Sequence, residues 1–208
     1  VISLASPVVK DLDKLHRVEE LWFEDDNLII RAEDSLFRVS RGVLAARSPV
    51  FRAMLFGMPQ PNPGNAVTMY GCPMIQLPHR AADVEYFLKA IFDSEFFLPP
   101  PEKSLFCVVL GVLRLAHEYD VKFLLKRALL HLETFYPSIL EGDGVYDSDD
   151  ESPAGAESSS AEESEPVING CALAALQAAS EVGALWNLPC IIYDCCTLDL
   201  NDMLDLPE

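Results

Sequence analysis

Basic residues are missing from the last third of this 208-residue chain: all fifteen Lys and Arg lie before residue 141. The acids do not follow them. Residues 1–140 carry 17 acids and are close to neutral, whereas 141–165 carry ten acids and 166–208 six, with no base in either stretch. The net charge of -18 therefore belongs mostly to the second part of the chain. Phosphate backbones are held by clustered cations, so this balance argues against unaided binding of nucleic acid.

Long apolar runs are absent as well. No stretch reaches the roughly 18 residues that a membrane-spanning helix needs, and 105–113 is the nearest approach. The opening VISLASPVVKDLDKLHRVEE does not contain the apolar centre of a signal peptide, and it begins at Val1 rather than Met, which leaves a processed chain or a fragment open. The six cysteines (Cys72, Cys107, Cys171, Cys190, Cys195, Cys196) show no C-x-x-C spacing. They read as small buried hydrophobes in a reducing, intracellular setting, cytoplasm or nucleus, with the vicinal Cys195-Cys196 pair as the one alternative for metal or redox chemistry. His16, His79, His117 and His131 are scattered, with no two at a metal-ligand spacing beside Cys or carboxylate. There is no G-x-S-x-G, no phosphate-cradling glycine loop and no dinucleotide fingerprint. No catalytic, cofactor-binding or metal-binding residue is therefore assigned, and an enzyme is not expected.

What is present reads as one domain with a helical annex. After a lead-in over 1–19, residues 21–23, 28–32 and 36–39 read as short extended segments, with Glu33-Asp34-Ser35 as a polar turn. A short helix follows at 42–46. Ser48-Pro49 then opens another, since a hydroxyl can cap the first free N–H groups and proline loses nothing at the first helical position. That helix carries Phe51, Met54 and Leu55 on one face and ends at Gly57. Residues 59–65 (PQPNPGN) form a loop, and 74–77 one more strand. Val84, Phe87, Leu88, Ile91 and Phe92 share one side of a helix. After three prolines at 99–101, Ser104 is placed to cap a helix that is apolar nearly all round from Leu105 to Leu115. Asp120 is placed to cap the next, which Pro137 ends. Residues 141–165 (EGDGVYDSDDESPAGAESSSAEESE) have almost nothing to bury and read as a disordered acidic linker. An annex over 166–208 follows, with helices over 171–186 and from Pro189 to about 196.

The stretch FRVSRGVLAARSPVF at 37–51 resembles the signature of the BTB/POZ family, through Phe37, Val39, Arg41, Leu44, Ser48 and Phe51. The strand Ile75-x-Leu77 with DVEYFLKAIF after it, and LAHEYDVKFLLKRALLHL at 115–132, resemble the family's later strand and closing helices in the same order. The resemblance covers 20–136. It is closest to the divergent members abundant in filamentous, mushroom-forming fungi, which share the Leu21-Trp22-Phe23-Glu24 opening and the Gly-Ala-Leu-Trp-x-Leu-Pro of the annex. It implies an α+β fold, a small β-sheet flanked by a helical cluster, in a module that dimerises or recruits protein partners.

Within that resemblance Arg41 would meet Asp26 in a charged pocket near a dimer interface; the alternative is a solvated arginine at a helix end. Two departures bear on the partner. Ser40 stands where the family usually has His, and Met58-Pro59-Gln60 stands where cullin-binding members carry a hydrophobic-x-Glu motif. Adaptor work for a cullin-based ubiquitin ligase is the weaker alternative, as is a transcription-linked regulator using the acidic segment. Trp186, with Leu188 and Ile191-Ile192-Tyr193, is the candidate anchor of the annex, whether for its packing or for a partner. Ser148, Ser159 and Ser160 each have Glu three residues on, the pattern acid-directed kinases favour, so they are candidate phosphorylation sites; an inert linker is the plainer alternative.

Overall fold

The computed structural model describes residues 15–57, 68–137 and 171–197. It divides into two units, Val1–His131 and Leu132–Glu208. The loop at 59–65, the acidic stretch 141–165 and the chain's end lie outside the described residues, as do the expectations placed on them.

The first unit is built on a five-stranded sheet in the order β1-β3-β2-β5-β4, with β1 His16–Trp22, β2 Leu28–Ala32, β3 Ser35–Val39, β4 Thr68–Met69 and β5 Cys72–Leu77. Alternation fixes its faces. Leu28, Ile30, Ala32, Phe37, Val39 and Leu77 are buried on one side. Ile29, Leu36 and Cys72 form a smaller cluster on the other, covered by Leu15, Trp22, Met69 and Met74. Trp22 meets Tyr70 edge-on at 5.5 Å, and Arg17 lies over both rings, 4.7 and 4.4 Å from their centroids.

β2 and β3 form a tight antiparallel hairpin in which Ala32 faces Ser35, so only Glu33 and Asp34 turn. Glu33 takes φ 50° there. Ser35, expected in the turn, is instead a buried strand residue whose Oγ is 2.9 Å from His16 Nε2. That contact belongs to β1, which runs parallel to β3 from His16, inside the expected lead-in. Its HRVEELW pattern carries too much charge to be read as a strand.

Besides the sheet this unit holds four helices, α1 Arg41–Arg47, α2 Pro49–Phe56, α3 Ala81–Phe92 and α4 Phe106–Glu118, and α5 Lys122–Phe135 begins in it. Ser48 caps α2 as expected, its Oγ accepting from Phe51 N at 3.0 Å while donating to Tyr119 O at 2.5 Å. Phe51 stacks on Tyr119 at 4.4 Å and lies 6.5 Å from Phe87, so α2, α3 and the end of α4 share one aromatic centre. The His79 Nε2 atom lies 3.1 Å from the Tyr119 hydroxyl. Eight of the thirteen residues of α4 are buried, as its all-round apolar sequence requires. It packs on α3 closely enough that a Cβ at Gly111 would lie 2.9 Å from Asp83 Oδ1.

Two expected caps are corrected. Ser104 does not cap α4: Leu105 holds that position with no side-chain bond, because the helix starts one residue later than a serine cap would need. Asp120 closes α4 instead of opening α5. It sits at φ 51°, with Val121 N donating to Ala116 O at 2.8 Å and Asp120 N to His117 O at 3.2 Å, the paired bonds of a Schellman end.

The second unit holds the end of α5, α6 Cys171–Val182, a 3₁₀ turn Leu185–Asn187 and α7 Leu188–Thr197. The single helix expected over 171–186 stops at Val182. Gly183, at φ 74°, ends it with a second Schellman pair, Ala184 N to Ala179 O at 2.8 Å and Gly183 N to Ser180 O at 3.3 Å. The buried Asn187 donates through Nδ2 to Tyr136 O at 2.6 Å, and Tyr136 OH donates to Asp194 Oδ2 at 3.1 Å.

Candidate functional site around helix α1

The start of α1 gathers the sequence-derived candidates of the first unit. Ser40, in the position usually held by His, caps this helix: Val43 N donates to its Oγ at 3.4 Å. Beside it, Arg41 N donates to Asn27 Oδ1 at 3.1 Å, joining the β1–β2 loop to the helix start. That loop also carries Asp26.

Asp26 and Arg41 are thus neighbours through Asn27, but the monomer does not pair their charges. The Arg41 guanidinium turns to the end of α2, where one terminal nitrogen donates to Leu55 O at 2.5 Å. Carbonyls in the last turn of a helix have no partner within it and carry partial negative charge, so a cation fits there. The guanidinium also lies 4.0 Å from the centroid of the Phe56 ring. Its Nε is buried with no hydrogen-bond partner. Phe56 itself is 55 % exposed and Val43 is 37 % exposed, so an apolar, singly charged rim faces solvent here.

The cation acting on Asp26 is Arg38. Burial raises the Asp26 carboxyl above its usual range, and Arg38 opposes that shift. Arg38 also donates to the Asp26 backbone carbonyl at 2.9 Å and pairs with Glu24 at 3.1 Å. Arg38, Asn27 and Phe56 were not singled out in the sequence. Phe56 had a signal, since it is a large apolar residue at a helix end, off the face shared by Phe51 and Leu55.

Met58 and Gln60 lie outside the described residues, as do Ser148, Ser159 and Ser160. Trp186 is described and is 51 % exposed, with Leu185, Ile192 and Tyr193 exposed beside it in sequence. Of the expected anchors only Ile191 is fully buried; the burial of the annex rests otherwise on Ala172, Ala175, Ala178, Ala179, Ala184 and Cys195. Among the described residues no three His, Cys, Asp or Glu side chains converge as a metal site would require. None of the described helices is long and apolar enough to cross a membrane.

The sheet, the hairpin carrying Phe37 and Val39, the α1–α2 pair and the closing α4–α5 pair define an α+β interaction domain. The family model for the BTB/POZ domain matches residues 22–135, more than half of the chain. The chain belongs to the BTB/POZ domain family, whose domain serves protein–protein interaction. No curated protein matches the chain.

Proposed function

We propose that the chain works as a dimerising, partner-recruiting protein module inside the cell, in cytoplasm or nucleus, and that the rim around Arg41 is its self-association surface. The observation that carries this is the buried, unpartnered Nε of Arg41 beside the exposed Phe56 ring, with Val43 exposed on the same helix. A buried guanidinium N–H without an acceptor is costly in an isolated domain, and a shift of the exposed Phe56 ring on association would open it to a partner's carboxylate or carbonyl. Asp26 is the complementary group. Its carboxyl is partly desolvated already, and it sits on the loop that Asn27 ties to the same helix start. The unpaired thiols of Cys72, Cys107, Cys190, Cys195 and Cys196 support a reducing compartment.

The test is sedimentation equilibrium on the wild-type chain, Asp26→Ala and Arg41→Ala. Both substitutions should weaken self-association by about tenfold or more, the loss usual for one partner of a buried charged hydrogen bond. Unchanged self-association in both variants sinks the Asp26–Arg41 surface. Adaptor work with a cullin has no described residue to support it, since it rests on Met58 and Gln60.

A further inference from the structure

A second surface lies at the other end of α1. Arg47, the last residue of that helix, places its guanidinium carbon 5.3 Å from the centroid of the Phe123 ring, and Arg127 places its own 5.5 Å from the same ring. The arrangement is fixed from below: Ser48, next to Arg47, donates to Tyr119 O, which sets the end of α1 beside the start of α5. Arg127 is further steadied by donating to Phe97 O at 3.0 Å. Lys122 and Lys126 flank Phe123 at i,i+4 spacing and are exposed, as is Arg47.

Two guanidinium groups therefore lie over one half-buried aromatic ring and two lysines stand near it on the same helix. Among the described residues none of the four stands in an ion pair; the pairs found there use Arg38, His79 and Lys89. The neighbouring acids are Glu118, which faces His79 at 3.4 Å, and Asp120, half-buried in the turn before α5. The contrast with the chain as a whole is sharp, since a molecule of net charge -18 spends none of its described acids on these cations.

We propose that this surface is a docking site for an acidic polypeptide segment of a partner protein. The inference rests on reading the chain as an interaction module and names the chemistry of one partner. The Arg47 guanidinium against the ring keeps its planar fork of donors for a carboxylate, and Arg127 keeps the donors not spent on Phe97 O; with two lysine ammonium groups they suit a run of Asp and Glu. Nucleic acid fits less well. The ring that could stack a base already carries the two guanidinium groups, and a duplex with a charge every ~1.7 Å would set most of its phosphates against the chain's surplus acids. Residues 141–165, with ten acids and no base, exemplify the chemistry such a site would take.

The experiment is a fluorescence-anisotropy titration of the full chain with a labelled peptide of the sequence 141–165, with a copy in which every Asp and Glu is replaced by Asn or Gln, and with a single-stranded DNA oligonucleotide of equal charge. The acidic peptide should bind, should weaken as salt is raised, and should lose about tenfold or more in affinity to the double variant Lys122→Glu/Lys126→Glu. Both lysines are exposed, and an unchanged melting curve checks that the variant folds. No binding of the acidic peptide, equal binding of the neutral copy, equal or tighter binding of the DNA, or indifference to the charge reversal overturns the proposal. Self-association measured on the same samples reads the Arg41 surface separately, so either surface can fail alone.

Discussion

The two units bury very different kinds of residue. In the first, Phe37, Phe51, Phe87, Phe97 and Tyr119 are fully enclosed, and the exposed large apolar residues are scattered over several elements. In the second, the buried positions of α6 are alanines, while Leu185, Trp186, Ile192 and Tyr193 face solvent within nine residues of sequence. Apolar stabilisation scales with the area removed from water, so the first unit places its large side chains where they stabilise the fold, and the second leaves several of them facing solvent. A buried polar side chain sharpens the difference. Asn187 satisfies its Nδ2 on Tyr136 O, but its Oδ1 is buried without a partner, so its acceptor side is left unmet.

Three substitutions probe this difference, in order of decreasing effect. Phe51→Ala should cost about 3–5 kcal/mol in urea unfolding, because it empties a site stacked between Tyr119 and Phe87 at the centre of the first unit. A loss of less than about 1 kcal/mol would mean that this aromatic centre does not hold the domain together.

The second concerns alkali. Burial holds the Tyr119 phenol above the usual tyrosine range, and the charge of Glu118 adds to this. The folded chain thus keeps a proton that the unfolded chain releases, and stability should fall as pH rises through and above the ordinary tyrosine value. Tyr119→Phe should remove that part of the alkaline slope; an unchanged slope would place its origin elsewhere. The smallest effect is expected in the annex. Trp186→Ala should change stability by no more than about 0.5 kcal/mol, since the side chain is half exposed, and a cost above about 2 kcal/mol would show that the indole is part of a core.

Much of this architecture is legible in the sequence. The Ser48 cap, the all-round apolar α4 and the alternation of Phe37 and Val39 each carry their structure in a local pattern, and so did the family resemblance built on them. What was not legible depended on partners distant in sequence. Strand β1 is charged along its length and is recognisable only through its parallel pairing with β3. Asp120 looked like a helix cap because aspartate favours that position, yet its left-handed φ ends α4, a role that aspartate also tolerates. At the α1 site, the sequence drew Arg41 toward Asp26 by charge. The nearer acceptor in the monomer is a backbone carbonyl at the end of α2, which no side-chain pattern announces. The Arg47–Phe123–Arg127 stack was missed for the same reason, since 76 positions separate Arg47 from Phe123 in the chain.

The proposed self-association through the rim at the start of α1 would shield the amides that form it. Hydrogen–deuterium exchange of the full chain at low and high protein concentration tests it most directly. Amides of the 24–27 loop, the first turn of α1 and the last turn of α2 should become more protected as concentration rises, and Arg41→Ala should abolish that change. Identical exchange there at both concentrations, in a wild-type sample that is fully folded, would contradict the account.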